Sequence, residues 1–435
     1  MTRPAAFLGC RLLDPESGRD EIGGLLVRDG RIADLGPHLR AEGLAEDVET
    51  IDATGLCLAP GLVDMRVRLG EPGAEHRERI DSAVAAAAAG GVTSLAALPD
   101  TSPPLDDPAM LEFVARRARK LKSVKVHPYA CLTRGGEGRQ LAEMGLLREA
   151  GAVAFTDGGR AVADARVMMR ALAYATAFDA LVVQHPEEPA LAAGGAMNAG
   201  PVATRLGLPG IPPCAEVIVI ERDLRLVEAT GARYHLGCIS TAASVDVVRR
   251  AKARGLPVSC GVTPHHLLLT EAEVEGYRTY AKVSPPLRTE EDRAALIEGL
   301  ADGTIDVVAS DHTPQDQDSK RVPFAQAAFG VVGLETLLAA VLELWHDGRI
   351  GLPALLATLT SKPAALLGLE AGRLAIGAPA DLLLFDPGAR WTVTEAGLRS
   401  LAKNTAFEGR EFRGRTVRTL VDGRAVFIRE EPGPG

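Results

Sequence analysis

No apolar stretch in this chain reaches membrane-spanning length without a charge or a Gly or Pro interruption, which argues against a spanning helix. The opening residues, Met1–Phe7, contain no long apolar core of the kind a secretory signal needs. Positive charge is not in excess: the formal net charge is −9, with both signs interspersed. A surface for nucleic acid or anionic membrane is therefore not expected. The six cysteines (Cys10, Cys57, Cys131, Cys214, Cys238 and Cys260) show no paired spacing. Most sit in apolar runs and read as reduced core residues of a cytoplasmic protein. Gly90-Gly91 and Gly194-Gly195 are turn glycines, since no helix start with Lys and Ser/Thr follows to make a phosphate loop.

The chain has 435 residues, 46% hydrophobic and 24% charged, enough for one large domain and a smaller one. Eight strand-like runs alternate with helical stretches: 58–69, 92–98, 124–130, 152–156, 181–184, 234–240, 257–263 and 305–310. Helical candidates between them are 77–89, 108–122, 139–149, 164–177, 214–229, 244–254 and 293–301. This is the pattern of an α/β fold of the (β/α)8 barrel type, with polar residues at the strand ends where barrel sites form. At each end of the chain, apolar runs flank an Asp-Gly turn, Asp29-Gly30 and Asp422-Gly423, which predicts a type I′ hairpin. Residues 1–57 and 370–435 are expected to form one small β-sandwich beside a barrel spanning 58–369. The Pro- and Gly-containing tail 429–435 is expected to fray.

The first of these runs ends Asp64-Met65-Arg66-Val67-Arg68-Leu69. A guanidinium has no free lone pair and stays protonated at physiological pH, so neither arginine can bind a metal. The run is followed along the chain by Gly200-Pro201, Leu206–Pro212 with Ala215-Glu216, Thr263-Pro264-His265-His266-Leu267 and Lys282–Arg288. Ser310-Asp311-His312-Thr313-Pro314 with Phe329-Gly330 and Gly333–Glu335 comes next, then Lys403–Gly409. On these stretches the chain resembles the dihydroorotases of the amidohydrolase superfamily over nearly its full length, with allantoinases and dihydropyrimidinases fitting less well.

The resemblance implies zinc-dependent interconversion of carbamoyl aspartate and dihydroorotate in pyrimidine synthesis. That chemistry needs a metal to activate water and polarise the amide carbonyl, a carboxylate to move a proton, and cationic and amide groups to hold the ring carboxylate. By the same resemblance the chain retains metal-ligand positions Asp157, His185 and Asp311, while Arg66, Arg68 and Cys238 replace three histidines. Asp311 keeps the position of the general base as a vestige, with no metal-bound water to deprotonate. The substrate clamp is degenerate as well. Gly70 stands for an arginine, Asp100 and Ser284 for asparagines, and Gln315 for a histidine; Asp100, if ionised, would repel the substrate carboxylate. His235 is expected to be a buried structural histidine, and His265 and His266 to pack near the barrel mouth. The polar segment 315–322 matches a mobile loop and is expected to lack order without a substrate site.

Both aspartates persist where both arginines are gained, so guanidinium cations are expected to stand where zinc would, Asp311 pairing with one arginine and Asp157 with the other. No cofactor is then expected. The alternative is one zinc on His185, Cys238 and Asp311 in an active dihydroorotase or related cyclic-amide hydrolase, since N, S and O donors suit zinc. By the same resemblance, dihydroorotase-like chains that lack the zinc histidines are structural partners of aspartate carbamoyltransferase, and this chain resembles those pseudoenzymes. A homo-oligomer is compatible with the same features.

Overall fold

The computed structural model describes residues 3–430; the last part of the expected frayed tail, 431–435, lies outside them. The chain forms a closed parallel barrel beside a separate eight-stranded sheet.

The barrel begins with Leu62–Val67, which pairs in parallel with Val92–Ala97, itself paired with Lys125–Pro128. The fourth member is reduced to bridges through Phe155 to Ala130 and to Val182. Val182–Gln184, Tyr234–Leu236, Val258–Val262 and Val307–Val308 continue the parallel order. A parallel bridge from His312 to Val67 closes the ring. These strands are buried on both faces, which explains their nearly unbroken apolar sequences. The ring ends put Arg66, Arg68, Asp100, Asp157, His185, Cys238 and Asp311 at one mouth.

The run 58–69, expected as one strand, divides at Gly61. Cys57–Pro60 belongs to the second sheet, pairing with Ala5–Asp14 and with Leu382–Thr392, and Leu62–Val67 starts the barrel. Gly61 passes so close to Thr93 that a Cβ there would lie 2.1 Å from its side chain. The second sheet joins strands from both chain ends through Cys57–Pro60. Both Asp-Gly turns take the expected form, with positive φ at Asp29 (50°), Gly30 (77°), Asp422 (46°) and Gly423 (71°).

Three helices after the eighth barrel strand were not expected from the sequence: Leu337–His346, Leu352–Leu359 and Ser361–Leu367. The first is buried over most of its surface. An apolar helix without a polar face gives no amphipathic period to read. No helix in the described residues is long and apolar enough to cross a membrane.

Candidate functional site

Arg66 is 3% exposed, at the end of the first barrel strand. Its Nε donates to Asp311 Oδ1 at 2.6 Å. Burial works against the guanidinium's charge, but Asp311 outweighs it and holds the Arg66 pKa above its ordinary value. Asp311 has φ +47°, an uncommon backbone state for a non-glycine residue, and its side chain meets the arginine from just past the eighth strand, which the bridge from His312 to Val67 sets beside the first. Arg66 Nη2 lies 3.4 Å from His185 Nδ1. His185 Nε2 lies 3.1 Å from Ser284 Oγ, and Ser284 Oγ donates to Glu187 Oε1 at 3.4 Å. The donor order consistent with these contacts runs from Arg66 through His185 and Ser284 to Glu187.

Arg68 finds a different carboxylate from the one expected. Its Nε and Nη2 both donate to Asp100 Oδ2, at 3.0 and 2.8 Å, and Nη1 donates to Thr313 Oγ1 at 2.7 Å. Arg68 holds the Asp100 carboxyl below its ordinary pKa against the effect of burial. Asp100 is therefore the second half of an ion pair and not simply a free charge facing the pocket. Asp157, expected to take that role, is bound instead by Thr133, through its N–H at 2.9 Å and its hydroxyl at 2.5 Å. Burial raises the Asp157 pKa with no cation beside it. Reach decides the outcome: Asp100 follows the neighbouring second strand, whereas Asp157 lies past the fourth. Thr313 was not singled out from sequence, although it stands two residues beyond Asp311.

These contacts bear on whether a metal fits. Both ring nitrogens of His185 are engaged, Nδ1 by a guanidinium. The Cys238 thiol lies 3.8 Å from His266 Nδ1, and burial pushes its pKa well above the ordinary thiol value, so it is no ready thiolate ligand. Asp311 accepts from Arg66. Among the described residues no three His, Cys, Asp or Glu side chains gather as metal donors would. The donor set does not fit a zinc ion while Arg66 is in place. His235 is buried against Ser259 at 2.8 Å, and His266 is tied to Thr263 Oγ1 and Pro285 O at 2.7 and 3.0 Å.

The positions that the resemblance assigns to a substrate clamp can be placed as well. Gly70 has φ +70°, and a Cβ there would sit 2.3 Å from the Glu78 carbonyl oxygen. No side chain can leave this backbone toward the pocket, so the arginine implied at this position has no place in this loop. Gly70→Ala is expected to lower stability by about 1–3 kcal/mol from backbone strain alone, read as a lower urea midpoint. Gln315 is turned to the protein: its Nε2 donates to Phe329 O at 2.7 Å, and its N–H to Asn404 Oδ1 at 3.1 Å. A cavity of about 690 Å³ remains over these residues.

A Dihydro-orotase-like family model matches residues 55–244, and an Amidohydrolase family model matches residues 217–426. The dihydroorotase of Syntrophotalea carbinolica is 44% identical over 417 residues, covering 96% of this chain and 97% of that protein. That of Geotalea daltonii is 45% identical, covering 97% and 99%. The chain belongs to the dihydroorotase family. Among solved structures, the L-hydantoinase (dihydropyrimidinase) from Arthrobacter aurescens superposes with a TM-score of 0.88 at 28% identity, covering 99% of this chain and 97% of that one.

Much of the dihydroorotase-family signature in this chain is structural. Arg288 donates to Asn198 Oδ1 at 2.7 Å, to Ile211 O at 3.0 Å and to Ser240 Oγ at 3.0 Å. Glu216 receives Ser240 N at 2.9 Å and Ser244 Oγ at 2.5 Å. These residues join the loops around the barrel mouth and need no metal.

The segment 315–322 is also built in, contrary to the expected disorder. Gln317–Lys320 is a short helix capped by Asp316. Lys320 is buried, and its Nζ donates to the carbonyls of Ala328, Thr279 and Lys282 at 2.7, 3.1 and 3.4 Å. The segment is thus anchored from beneath by its own lysine. Burial, with Lys282 nearby, brings the Lys320 pKa down to about 7 from 10.5. Between those values the unfolded chain binds the extra proton, so this group's contribution to stability rises with pH through that window. Below about 7 the burial penalty is fully in force. Denaturation near pH 7 and near pH 9 is expected to show a gain of roughly 1–3 kcal/mol from this group, absent in Lys320→Met.

Proposed function

We propose that this dihydroorotase-like protein of pyrimidine biosynthesis catalyses no hydrolysis and serves as a structural partner of aspartate carbamoyltransferase. The observation that carries the reading is the buried Arg66–Asp311 pair at 2.6 Å. Cyclic-amide hydrolysis needs an activated water and a free carboxylate to carry its proton. Here that carboxylate accepts from a fixed cation, and the same guanidinium abuts His185. Arg68 and Asp100 neutralise each other in what would be substrate space. A barrel can keep its packing after its chemistry has gone, because the two reside in different residues.

A second reading is favoured by the 44–45% identity to proteins named dihydroorotase. It has one zinc held by His185, Cys238 and Asp311, and requires Arg66 to leave Asp311. Protein purified without chelator is expected to contain far less than stoichiometric zinc by mass spectrometry. It is expected to show no dihydroorotate turnover above background, with or without added zinc, and to co-purify with aspartate carbamoyltransferase. Stoichiometric zinc with turnover would establish the second reading instead.

A further inference from the structure

We infer that the outward face of the helix Pro108–Leu121 docks a second copy of this chain, receiving that copy's acidic segment 42–49. The contact lies outside the barrel mouth and does not depend on what the mouth does.

The helix packs inward through Leu111, Val114 and Ala118. At 3.6 residues per turn the opposite side is centred on Phe113, Arg116 and Lys120. All three are exposed, Phe113 by 37%. They stand three and four positions apart, so their side chains form one row about 10 Å long. The charges flanking the row are already met: Arg117 Nε pairs with Glu71 at 3.0 Å, and Arg119 Nη2 with Glu112 at 2.7 Å. Among the described residues no ion pair or side-chain hydrogen bond holds Arg116 or Lys120. The negative end of the helix dipole accounts for cations in the last turn, Arg119 and Lys120. It does not account for Arg116 farther back, nor for an exposed aromatic ring in the same row.

The net charge is −9, so two copies repel at a distance, and a contact is favoured where opposite signs face each other. Segment 42–49 supplies the opposite sign. Glu42, Glu46, Asp47 and Glu49 are exposed, and no ion pair holds any of them among the described residues. Arg3 reaches Asp47, but it donates to the backbone carbonyl, at 3.1 Å. Arg40, just before the segment, offsets one of the four charges. Leu44 lies half-buried between Glu42 and Glu46. Two unpaired cations beside a ring thus match unpaired carboxylates beside an apolar side chain, the apolar centre and polar rim of protein interfaces. Single exposed ion pairs contribute little, so the association is weak and salt-dependent. Each copy carries both surfaces, and the contact closes a pair or ring or continues as a chain.

Sedimentation velocity and light scattering on the full chain, from low to high micromolar concentration, test this. The parent is expected to self-associate at about 0.1 M salt and at least tenfold more weakly at about 1 M, where the screening length falls from about 10 to about 3 Å. A helix variant, Arg116→Glu with Lys120→Glu, and a loop variant, Glu42→Lys with Glu46→Lys and Asp47→Lys, change exposed positions only. Each alone should associate at least tenfold more weakly than the parent. Mixed in equal amounts they should associate again, because the new acids on one copy's helix meet the new lysines of the other's loop. Phe113→Ser should weaken association at both salt levels. The inference is overturned if the parent stays monomeric throughout, which would leave the helix face to an acidic protein other than this chain. Association that ignores salt, charge-reversed variants that associate as the parent does, or a mixture that stays monomeric would overturn it equally.

Discussion

Arg66→Met is expected to lose up to about 3–5 kcal/mol of folding stability, because it takes the hydrogen-bonded cation from the buried Asp311 carboxylate and leaves only Arg68 Nη1, 3.9 Å away. The arginine side chain is 3% exposed and the aspartate 6%, so water cannot easily replace the lost partner. Removing both charges should behave differently. Arg66→Met with Asp311→Leu eliminates the unpaired ion, and well-packed apolar replacements of buried pairs are often neutral or stabilising. The double variant is therefore expected to recover most of the loss, and urea denaturation of both variants measures it. A single variant as stable as the parent would show that the pair does not hold this site together. The contrast separates a structural ion pair from two charges that merely lie close.

Placing histidines at positions 66 and 68 is not expected to yield dihydroorotase turnover. Arg66→His with Arg68→His removes both guanidinium charges from Asp311 and Asp100, and at neutral pH an unperturbed imidazole is mostly uncharged. Even when loaded with zinc, the variant would lack the clamp. Gly70 admits no side chain, the Gln315 side-chain amide donates to Phe329 O, and Asp100 becomes an unpaired negative charge near the pocket. Two missing charge-assisted contacts are worth roughly 3–6 kcal/mol together. That is about two to four powers of ten in kcat/KM, relative to a dihydroorotase complete at these positions. Dihydroorotate hydrolysis by the zinc-supplemented double variant is expected to stay at or near background. Activity at the level of its family relatives would mean that the clamp positions matter little and that two substitutions alone had silenced the chain.

The barrel was largely legible because its strands are buried on both faces and so spell out apolar runs. The run 152–156 was visible in this way even though only Phe155 makes its bridges. The helices 337–346 and 352–359 were missed for a related reason: burial on most sides erases the 3.6-residue period. Asp100 shows a different limit. Residue type marked it as a charge in substrate space, but its meaning depended on Arg68, which lies 32 residues away in sequence and on the adjacent strand end. Lys320 shows the same limit in a loop, where a charged residue in a polar segment proved to be its buried anchor.

The amino acids by themselves determined that positions 66 and 68 cannot ligate a metal, because a guanidinium offers no lone pair whatever surrounds it. They also determined the alternating barrel and its family, because burial and turn chemistry leave local marks. Only the tertiary structure decided which aspartate answers which arginine, and that Asp157 turns to Thr133. Those outcomes depend on distances of a few ångströms between residues far apart in the chain, and Coulombic and hydrogen-bonding energies are set by such distances.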